Sequence, residues 1–250
     1  MSELWLEDKC VLVTGAAKNL GRAFAENAGR RGARVVVHYH DSNSAAEANA
    51  AVEQIRGFGA QAVAVQADLT QADAVIGLMK TTIETYGRLD VLINNAGLII
   101  KKPFGELELE DYDACFAVNA RAPFLLMREA VRYLPDGGRV INIGTSILGL
   151  AFGGYGIYVG SKGALEHMTR VFAQEFKSRR ITANLIAPGA LDTPFFYGAE
   201  SEHSVAMIKQ FTGGLGAVED ISPMVDFLTS PQAGWITGQT LFVNGGFVAR

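Results

Sequence analysis

Short apolar runs alternate with longer stretches of helical periodicity along almost the whole chain of 250 residues. Most of the runs are apolar nearly without interruption, as a parallel strand that is covered on both faces requires. Because strand–helix–strand crossovers in one sheet are right-handed, this alternation predicts an α/β fold with a doubly wound parallel sheet and helices on both faces.

The pattern also places the individual elements. Strands are predicted at residues 9–14, 34–39, 62–66, 91–94, 139–143, 182–186 and 240–243, and helices at 20–31, 44–57, 71–86, 109–133 and 158–177. No Pro/Ser-rich linker divides the chain. We therefore expect a single domain over residues 1–250, with a sheet of about seven strands.

Composition and charge exclude several classes of protein. Hydrophobic residues make up 49% of the chain, enough for a sizeable core, and 22 basic against 26 acidic residues leave a net charge of −4. Nucleic-acid and anionic-membrane binding need a positive surface, so neither is expected. Only Cys10 and Cys115 are present, which fits a reducing compartment, and HExxH and CxxC metal motifs are absent. The N-terminus lacks the features of a signal peptide. We expect a soluble cytoplasmic protein without a metal.

A glycine-containing loop, GAAKNLG, follows the first predicted strand, where ligands bind in open α/β sheets. Gly15 lets the backbone approach a pyrophosphate, and the following helix N-terminus offers free N–H groups. Asn19 takes the position of a middle glycine, and Asn tolerates left-handed backbone conformations better than most residues. The alternative is that Gly15 and Gly21 only make a tight turn.

The end of the second strand usually selects the cofactor, because an acid there binds a ribose 2′-OH and a basic group binds a 2′-phosphate. Tyr39 stands where the acid is expected, and His40 follows it. Lys18 could reach a 2′-phosphate, whereas Asp41 is the residue that argues against one. We predict that NADP(H) is preferred and that NAD(H) is possible.

Tyr158 and Lys162 stand four residues apart, on one face of a predicted helix. A phenol has a pKa of about 10, and an ammonium ~4 Å away supplies roughly the 4 kcal/mol needed to bring that pKa near 7. The spacing thus predicts that Lys162 lowers the pKa of Tyr158. Taken alone, such a pair would more often be a solvated helix face.

Polar groups follow the other central strands in the same way. The sequence NNAG comes after the fourth strand, Thr145 and Ser146 end the fifth, and Pro188 and Gly189 follow the sixth. Asn119 lies in an otherwise apolar helical segment; the alternative for it is a buried amide satisfied by its neighbours.

Together, TGAAKNLG, Asp68, NNAG, Asn119, the Thr145/Ser146 strand end, YVGSK, PGALDT and VNGG resemble the short-chain dehydrogenase/reductase family over essentially the whole chain. Members similar to 3-oxoacyl-carrier-protein reductases and pteridine reductases come nearest. The resemblance implies a Rossmann fold in which Tyr158 is the acid–base group and Lys162 lowers its pKa and holds the nicotinamide ribose. A hydroxyl would polarise the carbonyl, and Asn119 would order a proton-relay water.

The resemblance also implies cofactor contacts and an assembly. Asp68 would contact adenine, Asn95 the ribose region and Thr193 the carboxamide. A homotetramer would pair the 109–133 and 158–177 helices between subunits. The expected intersubunit contacts are Leu125, Leu126, Leu165 and Phe172. The expected cofactor-binding residues are Gly15, Lys18, Asn19, Leu20, Gly21, Tyr39, His40, Asp68, Leu69, Asn95, Ala96, Gly97, Tyr158, Lys162, Pro188, Gly189, Leu191 and Thr193.

The identity of the catalytic hydroxyl is open. The spacing to Tyr158 favours Thr145, and the S-x-x-G pattern to Gly149 favours Ser146. We choose Ser146, which predicts that Ser146→Ala reduces turnover more than Thr145→Val. A pteridine reductase would be expected to carry an aspartate near Thr145, and none is there.

The segment after Thr193 is rich in aromatic residues and is unlike a simple connection to a strand. We predict that residues near 194–214 form a helical lid that excludes water from the nicotinamide, with Gly198 and residues 213–214 as hinges. The alternative is a core helix. Phe195, Phe196, Tyr197, Met207 and Phe211 would form one wall of the pocket, and Phe152 and Tyr155 the opposite wall.

These features predict an NAD(P)(H)-dependent oxidoreductase that transfers hydride between nicotinamide and a small-molecule carbonyl or alcohol. A ketone reductase with an apolar pocket fits best. The alternatives are a 3-oxoacyl thioester or pteridine reductase and, in another class, a dinucleotide-binding sensor or scaffold without turnover.

Overall fold

Seven strands rich in Val, Ile and Leu pair in parallel and form one sheet in the computed structural model, which describes residues 4–249. The spatial order of the strands is β3-β2-β1-β4-β5-β6-β7, so the doubly wound prediction is confirmed. Residues 1–3 and 250 of the predicted domain lie outside the described residues. The strands are β1 (Cys10–Val13), β2 (Arg34–Tyr39), β3 (Ala62–Gln66), β4 (Val91–Asn94), β5 (Arg139–Ile143), β6 (Thr182–Pro188) and β7 (Thr240–Val243).

Helices cover both faces of this sheet. One apolar cluster joins α1, α2 and α9 to the sheet, and a second joins α3, α5 and α6 to its other face. None of the helices in residues 4–249 combines the length and hydropathy of a membrane span. The helices are α1 (Asn19–Arg30), α2 (Ala45–Gly57), α3 (Ala72–Tyr86), α4 (Leu109–Phe116), α5 (Ala122–Ala130), α6 (Gly156–Glu175), α7 (Pro194–Tyr197), α8 (Glu202–Thr212) and α9 (Val218–Thr229).

Two helical regions differ from the sequence prediction. The long helix expected at 109–133 is interrupted by a π-helical turn, Ala117–Arg121. Pro123 explains why an α-helix is not continuous here, because it has no N–H to donate to the carbonyl of Asn119 four residues earlier. Helix α9 was not predicted, since Pro223 suggests a break, yet Ile221 and Val225 pack into the core.

The four residues expected to contact another subunit belong to the chain's own core, so that prediction was wrong. Their helices are amphipathic, and the sequence did not reveal which stripe faces the sheet. Buried within this chain are Leu125, Leu126, Leu165 and Phe172.

The strand order also fixes where a ligand can bind. The chain builds β1, β2 and β3 outward in one direction and then returns to place β4 on the other side of β1. The loops after β1 and β4 therefore diverge and leave a crevice at the carboxyl ends of the strands.

Candidate active site

A cavity of about 1360 Å³ opens at this crevice and extends toward α7 and α8. It brings together nearly all of the predicted site residues, and Tyr39 and Asn119 are the exceptions. The predicted residues that line it are Gly15, Lys18, Asn19, Leu20, Gly21, His40, Asp68, Leu69, Asn95, Ala96, Gly97, Thr145, Ser146, Tyr158, Lys162, Pro188, Gly189, Leu191 and Thr193.

The loop after β1 has the backbone that its sequence suggests. Gly15 has a φ of +61°, and Asn19 adopts the left-handed region with a φ of 49°. A Cβ on Gly21 would stand 2.1 Å from the carbonyl oxygen of Gly15, so no larger residue fits without moving the backbone. The loop thus exposes its backbone at the start of α1.

Hydrogen bonds tie this loop to the loop that follows β4. The Asn95 Nδ2 donates to the carbonyl oxygens of Thr14 at 3.0 Å and Gly15 at 3.1 Å. The Thr14 hydroxyl accepts the N–H groups of Asn95 and Ala96 at 2.9 and 3.1 Å. The Asn95 amide therefore supports the loop, and its contact with a cofactor ribose stays a prediction. Thr14 was not singled out in the sequence.

His38 fixes the same loop from β2, a role that the sequence left open. The N–H of Gly15 donates to His38 Nδ1 at 3.0 Å, so the proton of the neutral ring is on Nε2, which lies 2.9 Å from the carbonyl oxygen of Ala67. Burial lowers the pKa of His38 to about 4, which keeps it neutral near pH 7. A polar residue inside an apolar strand was the available signal.

Charged side chains lie at the end of the cavity formed by the loops after β1, β2 and β3, which we call the dinucleotide end. Lys18 pairs with Glu47 at 2.8 Å, and His40 Nδ1 lies 3.8 Å from an oxygen of Asp68. Asp41 accepts the N–H of Asn43 at 3.1 Å and caps a short 3₁₀ turn.

Tyr39 does not line the cavity. Its side chain packs against the apolar core, and its contact with the cofactor stays a prediction. Successive side chains of a strand point to opposite faces, which explains why His38 and His40 reach the cavity and Tyr39 does not.

Tyr158 and Lys162 meet the cavity from α6, but their electrostatics differ from the prediction. Burial raises the pKa of Tyr158 to about 12, and a hydrogen bond from the Thr145 hydroxyl lowers it only in part. The Lys162 Nζ donates to the carbonyl oxygen of Ile143 at 2.7 Å, and burial lowers the pKa of this ammonium to about 8. The expectation that Lys162 brings the pKa of Tyr158 near 7 was wrong, because burial of the phenol dominates and leaves the pKa above its ordinary value of about 10.

The two candidate hydroxyls after β5 have different partners. The Ser146 hydroxyl donates to the carbonyl oxygen of Ala187 on β6 at 2.8 Å. The Thr145 hydroxyl accepts the N–H of Ile147 at 3.4 Å, and its interaction with the phenol lowers the pKa of Tyr158. The bond of Ser146 to Ala187 favours Thr145 as the catalytic hydroxyl, and the choice between the two stays a prediction.

Asn119 is fully buried in the π-helical turn, outside the cavity lining. Its Nδ2 donates to the carbonyl oxygen of Leu98 at 2.7 Å and to Ser161 Oγ at 3.0 Å, and its Oδ1 accepts the N–H of Leu98 at 2.9 Å. The amide is satisfied by its neighbours, and its role in ordering a water stays a prediction.

Aromatic rings close the other end of the cavity. The rings of Phe152, Phe211 and Phe247 lie 5.5 to 6.3 Å apart between centroids. No residue of α7 or α8 is buried, which excludes the core-helix alternative for this segment. Phe247 was not predicted, because it follows the last strand. Other lining residues from the predicted lid are Phe195, Phe196 and Met207, whereas Tyr197 points to Asp192.

Known proteins share this whole architecture. A family model described as enoyl-(acyl carrier protein) reductase matches residues 15–248. A short-chain type dehydrogenase/reductase of Picea abies is 38% identical, covering 97% of this chain and 93% of its own. The chain belongs to the short-chain dehydrogenase/reductase family. It is therefore an oxidoreductase that uses a nicotinamide dinucleotide.

Two solved structures resemble this family member closely. A dehydrogenase from Burkholderia cenocepacia with bound NADP has a TM-score of 0.96 and 39% identity, covering 99% of this chain and 96% of that one. The angucycline C-6 ketoreductase LanV with bound NADP has a TM-score of 0.90 and 36% identity, covering 97% of this chain and 96% of that one.

Proposed function

We propose that this enzyme reduces a ketone with NADPH and that Tyr158 donates the proton to the carbonyl oxygen. The observation that carries the proposal is the single cavity that brings Tyr158, Lys162 and Thr145 together with the glycine loop and the aromatic wall. The similar LanV is a ketoreductase with bound NADP, which supports the same chemistry.

The residues present fit a dinucleotide. The cavity of about 1360 Å³ exceeds the ~300–1,000 Å³ of a site for one small ligand, so it has room for a cofactor and a substrate together. The backbone cradle between Gly15 and Gly21 would hold the diphosphate at the start of α1. Lys18 and His40 would face a 2′-phosphate, which supports a preference for NADPH over NADH.

The groups at the centre of the cavity suit reduction better than oxidation. When bound, NADPH supplies hydride to the carbonyl carbon. With a pKa near 12, the Tyr158 phenol holds its proton at neutral pH, which is the form that a proton donor needs. The Thr145 hydroxyl would donate to the carbonyl oxygen as negative charge develops there. The ammonium of Lys162 would stabilise the phenolate that remains after proton transfer.

NADPH oxidation in the presence of aliphatic ketones, aromatic ketones and a 3-oxoacyl thioester tests the proposal. We expect aromatic ketones to be reduced fastest because the pocket wall is aromatic. Tyr158→Phe should bind NADPH, followed by its fluorescence, but reduce no carbonyl. Tight NADPH binding by the unaltered protein with no ketone reduced would instead support a sensor or scaffold. Preference for the thioester would identify a 3-oxoacyl reductase.

We also propose that the enzyme assembles with copies of itself, as a homotetramer, and works in the cytoplasm. The faces of α4, α5 and α6 expose Tyr112, Phe124 and Val171, which an identical subunit could cover. Free Cys10 and Cys115 fit a reducing compartment. Light scattering should give four times the monomer mass, and a monomer would contradict this assembly.

A further inference from the structure

An ion pair with a buried carboxylate lies at the substrate end of the cavity, where the proposed reaction does not use it. The Glu200 carboxylate contacts the Lys101 ammonium and the Tyr155 hydroxyl. The Glu200 side chain is only 2% exposed, although it belongs to the connection between α7 and α8. The Lys101 Nζ also donates to Ser204 Oγ at 3.2 Å and lies 4.9 Å from the centroid of the Tyr155 ring.

The pair joins three segments that the chain order keeps far apart. Lys101 follows β4, Tyr155 immediately precedes α6, and Glu200 and Ser204 belong to the segment over the cavity. The carbonyl of Tyr155 accepts the N–H of Val159 at 2.9 Å, so the position of Tyr155 is tied to the first turn of α6, where Tyr158 lies. Displacement of Glu200 would therefore affect both the segment 198–212, which lies over the cavity, and the position of Tyr155 beside Tyr158.

Burial of the Glu200 carboxylate beside Lys101 is a poor means of stabilising the fold. The loss of solvent around two charges offsets much of their attraction, and apolar residues of similar volume often serve stability as well or better. A buried pair can instead select one arrangement of the chain, because each charge has few other partners. Burial and the Glu200 carboxylate raise the pKa of Tyr155, so its hydroxyl remains a donor to that carboxylate.

We propose that Glu200 is a positioning residue, which holds the segment 198–212 against Lys101 and Tyr155 and so orders the aromatic wall around the ketone. This inference rests on the proposed ketone reduction. It predicts that Glu200 affects the binding of the ketone and leaves the binding of NADPH nearly unchanged, because the contacts of Glu200 lie at the substrate end.

Glu200→Gln is the first test, with Glu202→Gln as the matched control, since Glu202 is an exposed acid at the start of helix α8, directly after the connection that contains Glu200. We expect Glu200→Gln to raise KM for an aromatic ketone about tenfold, with a smaller loss in kcat and an NADPH Kd within about twofold of the original. The double variant with Lys101→Glu and Glu200→Lys should restore KM to within about threefold, because the pair is re-formed.

Limited proteolysis of the NADPH-bound protein gives a readout that does not need a ketone. Cleavage within the segment 198–212 should be about ten times faster in Glu200→Gln than in the unaltered protein, and unchanged in Glu202→Gln. If the unaltered protein reduces no ketone, the proposed function fails, but the proteolysis experiment still shows whether Glu200 orders the segment 198–212. An unchanged KM and cleavage rate in Glu200→Gln would overturn the inference. Equal weakening of NADPH and ketone binding, without rescue by the exchanged pair, would also overturn it.

Discussion

The two ends of the cavity are built in different ways. At the dinucleotide end, His38 and Asn95 make hydrogen bonds to the backbone of the loop after β1, and the Thr14 hydroxyl accepts the N–H of Asn95. All three residues lie in or directly after strands. At the substrate end, Phe152, Phe211 and Phe247 approach one another from segments outside the sheet. The cofactor site is therefore tied to the strands, whereas the aromatic wall is not. We expect a substitution at one end to leave ligand binding at the other end intact.

The largest effect is expected where the two ends meet. Thr145→Val removes a hydroxyl that would stabilise charge on the carbonyl oxygen and should lower kcat by about 10²–10³-fold, with an unchanged Kd for NADPH. Ser146→Ala should cost far less, because that hydroxyl donates to Ala187. Steady-state kinetics of both variants with the same ketone give the ranking, and the opposite ranking would return the catalytic role to Ser146.

Gly21→Ala should damage the dinucleotide end alone. Its Cβ would meet the Gly15 carbonyl oxygen at 2.1 Å, and the loop would have to move. We expect the Kd for NADPH, from fluorescence titration, to rise about a hundredfold, or ~2.7 kcal/mol. Gly77→Ala is the matched control, since a Cβ there, in α3, meets no atom within 4 Å. A normal Kd in Gly21→Ala would contradict the close backbone approach.

The contribution of His38 to NADPH binding should be smaller than that of Gly21, and two substitutions of His38 test it. His38→Phe removes the acceptor for the Gly15 N–H, and we expect about tenfold weaker NADPH binding. His38→Asn keeps an acceptor near the position of Nδ1 and should recover part of the loss. Isothermal titration with NADPH measures both variants. Equal affinities for Phe and Asn at this position would show that the hydrogen bond does not support the loop.

The smallest expected effect is a pH dependence of kcat, which should be stronger than the pH dependence of NADPH binding. Lys162 is cationic below its pKa of about 8, so kcat for ketone reduction should be level near pH 7 and fall as the pH rises through 8. The proton on Tyr158 is retained throughout this range, because its pKa is about 12. The Kd for NADPH should rise only modestly between about pH 7 and 9, because Lys162 is one of many expected cofactor contacts and His38 titrates near 4. A kcat that rises above pH 8 would contradict the role of Lys162.

The sequence predicted the dinucleotide end well for a physical reason. Residues such as Gly15, Asn95 and Gly189 lie just after strands, and the carboxyl ends of parallel strands meet at one edge of the sheet. Local order along the chain was therefore enough to bring them together. The strands were predicted for a similar reason, because burial on both faces leaves a continuous apolar run.

The remaining features depend on tertiary structure. Glu200 and Phe247 reach the cavity only after distant segments have packed, and no local pattern marks them. Thr145 and Ser146 are neighbours at a strand end, so their side chains point in different directions, which spacing cannot resolve. The pKa of Tyr158 depends on how much solvent α6 loses, and the helical spacing to Lys162 contains no information about burial.

Transfer of hydride from NADPH to a carbonyl carbon is the central claim, and isotope labelling tests it most directly. NADPH deuterated at C4 of the nicotinamide, on the face that is transferred, should yield an alcohol with a single deuterium on the carbinol carbon. The same experiment with Tyr158→Phe should yield no alcohol. An alcohol without deuterium, or labelled alcohol formed at full rate by Tyr158→Phe, would contradict the account.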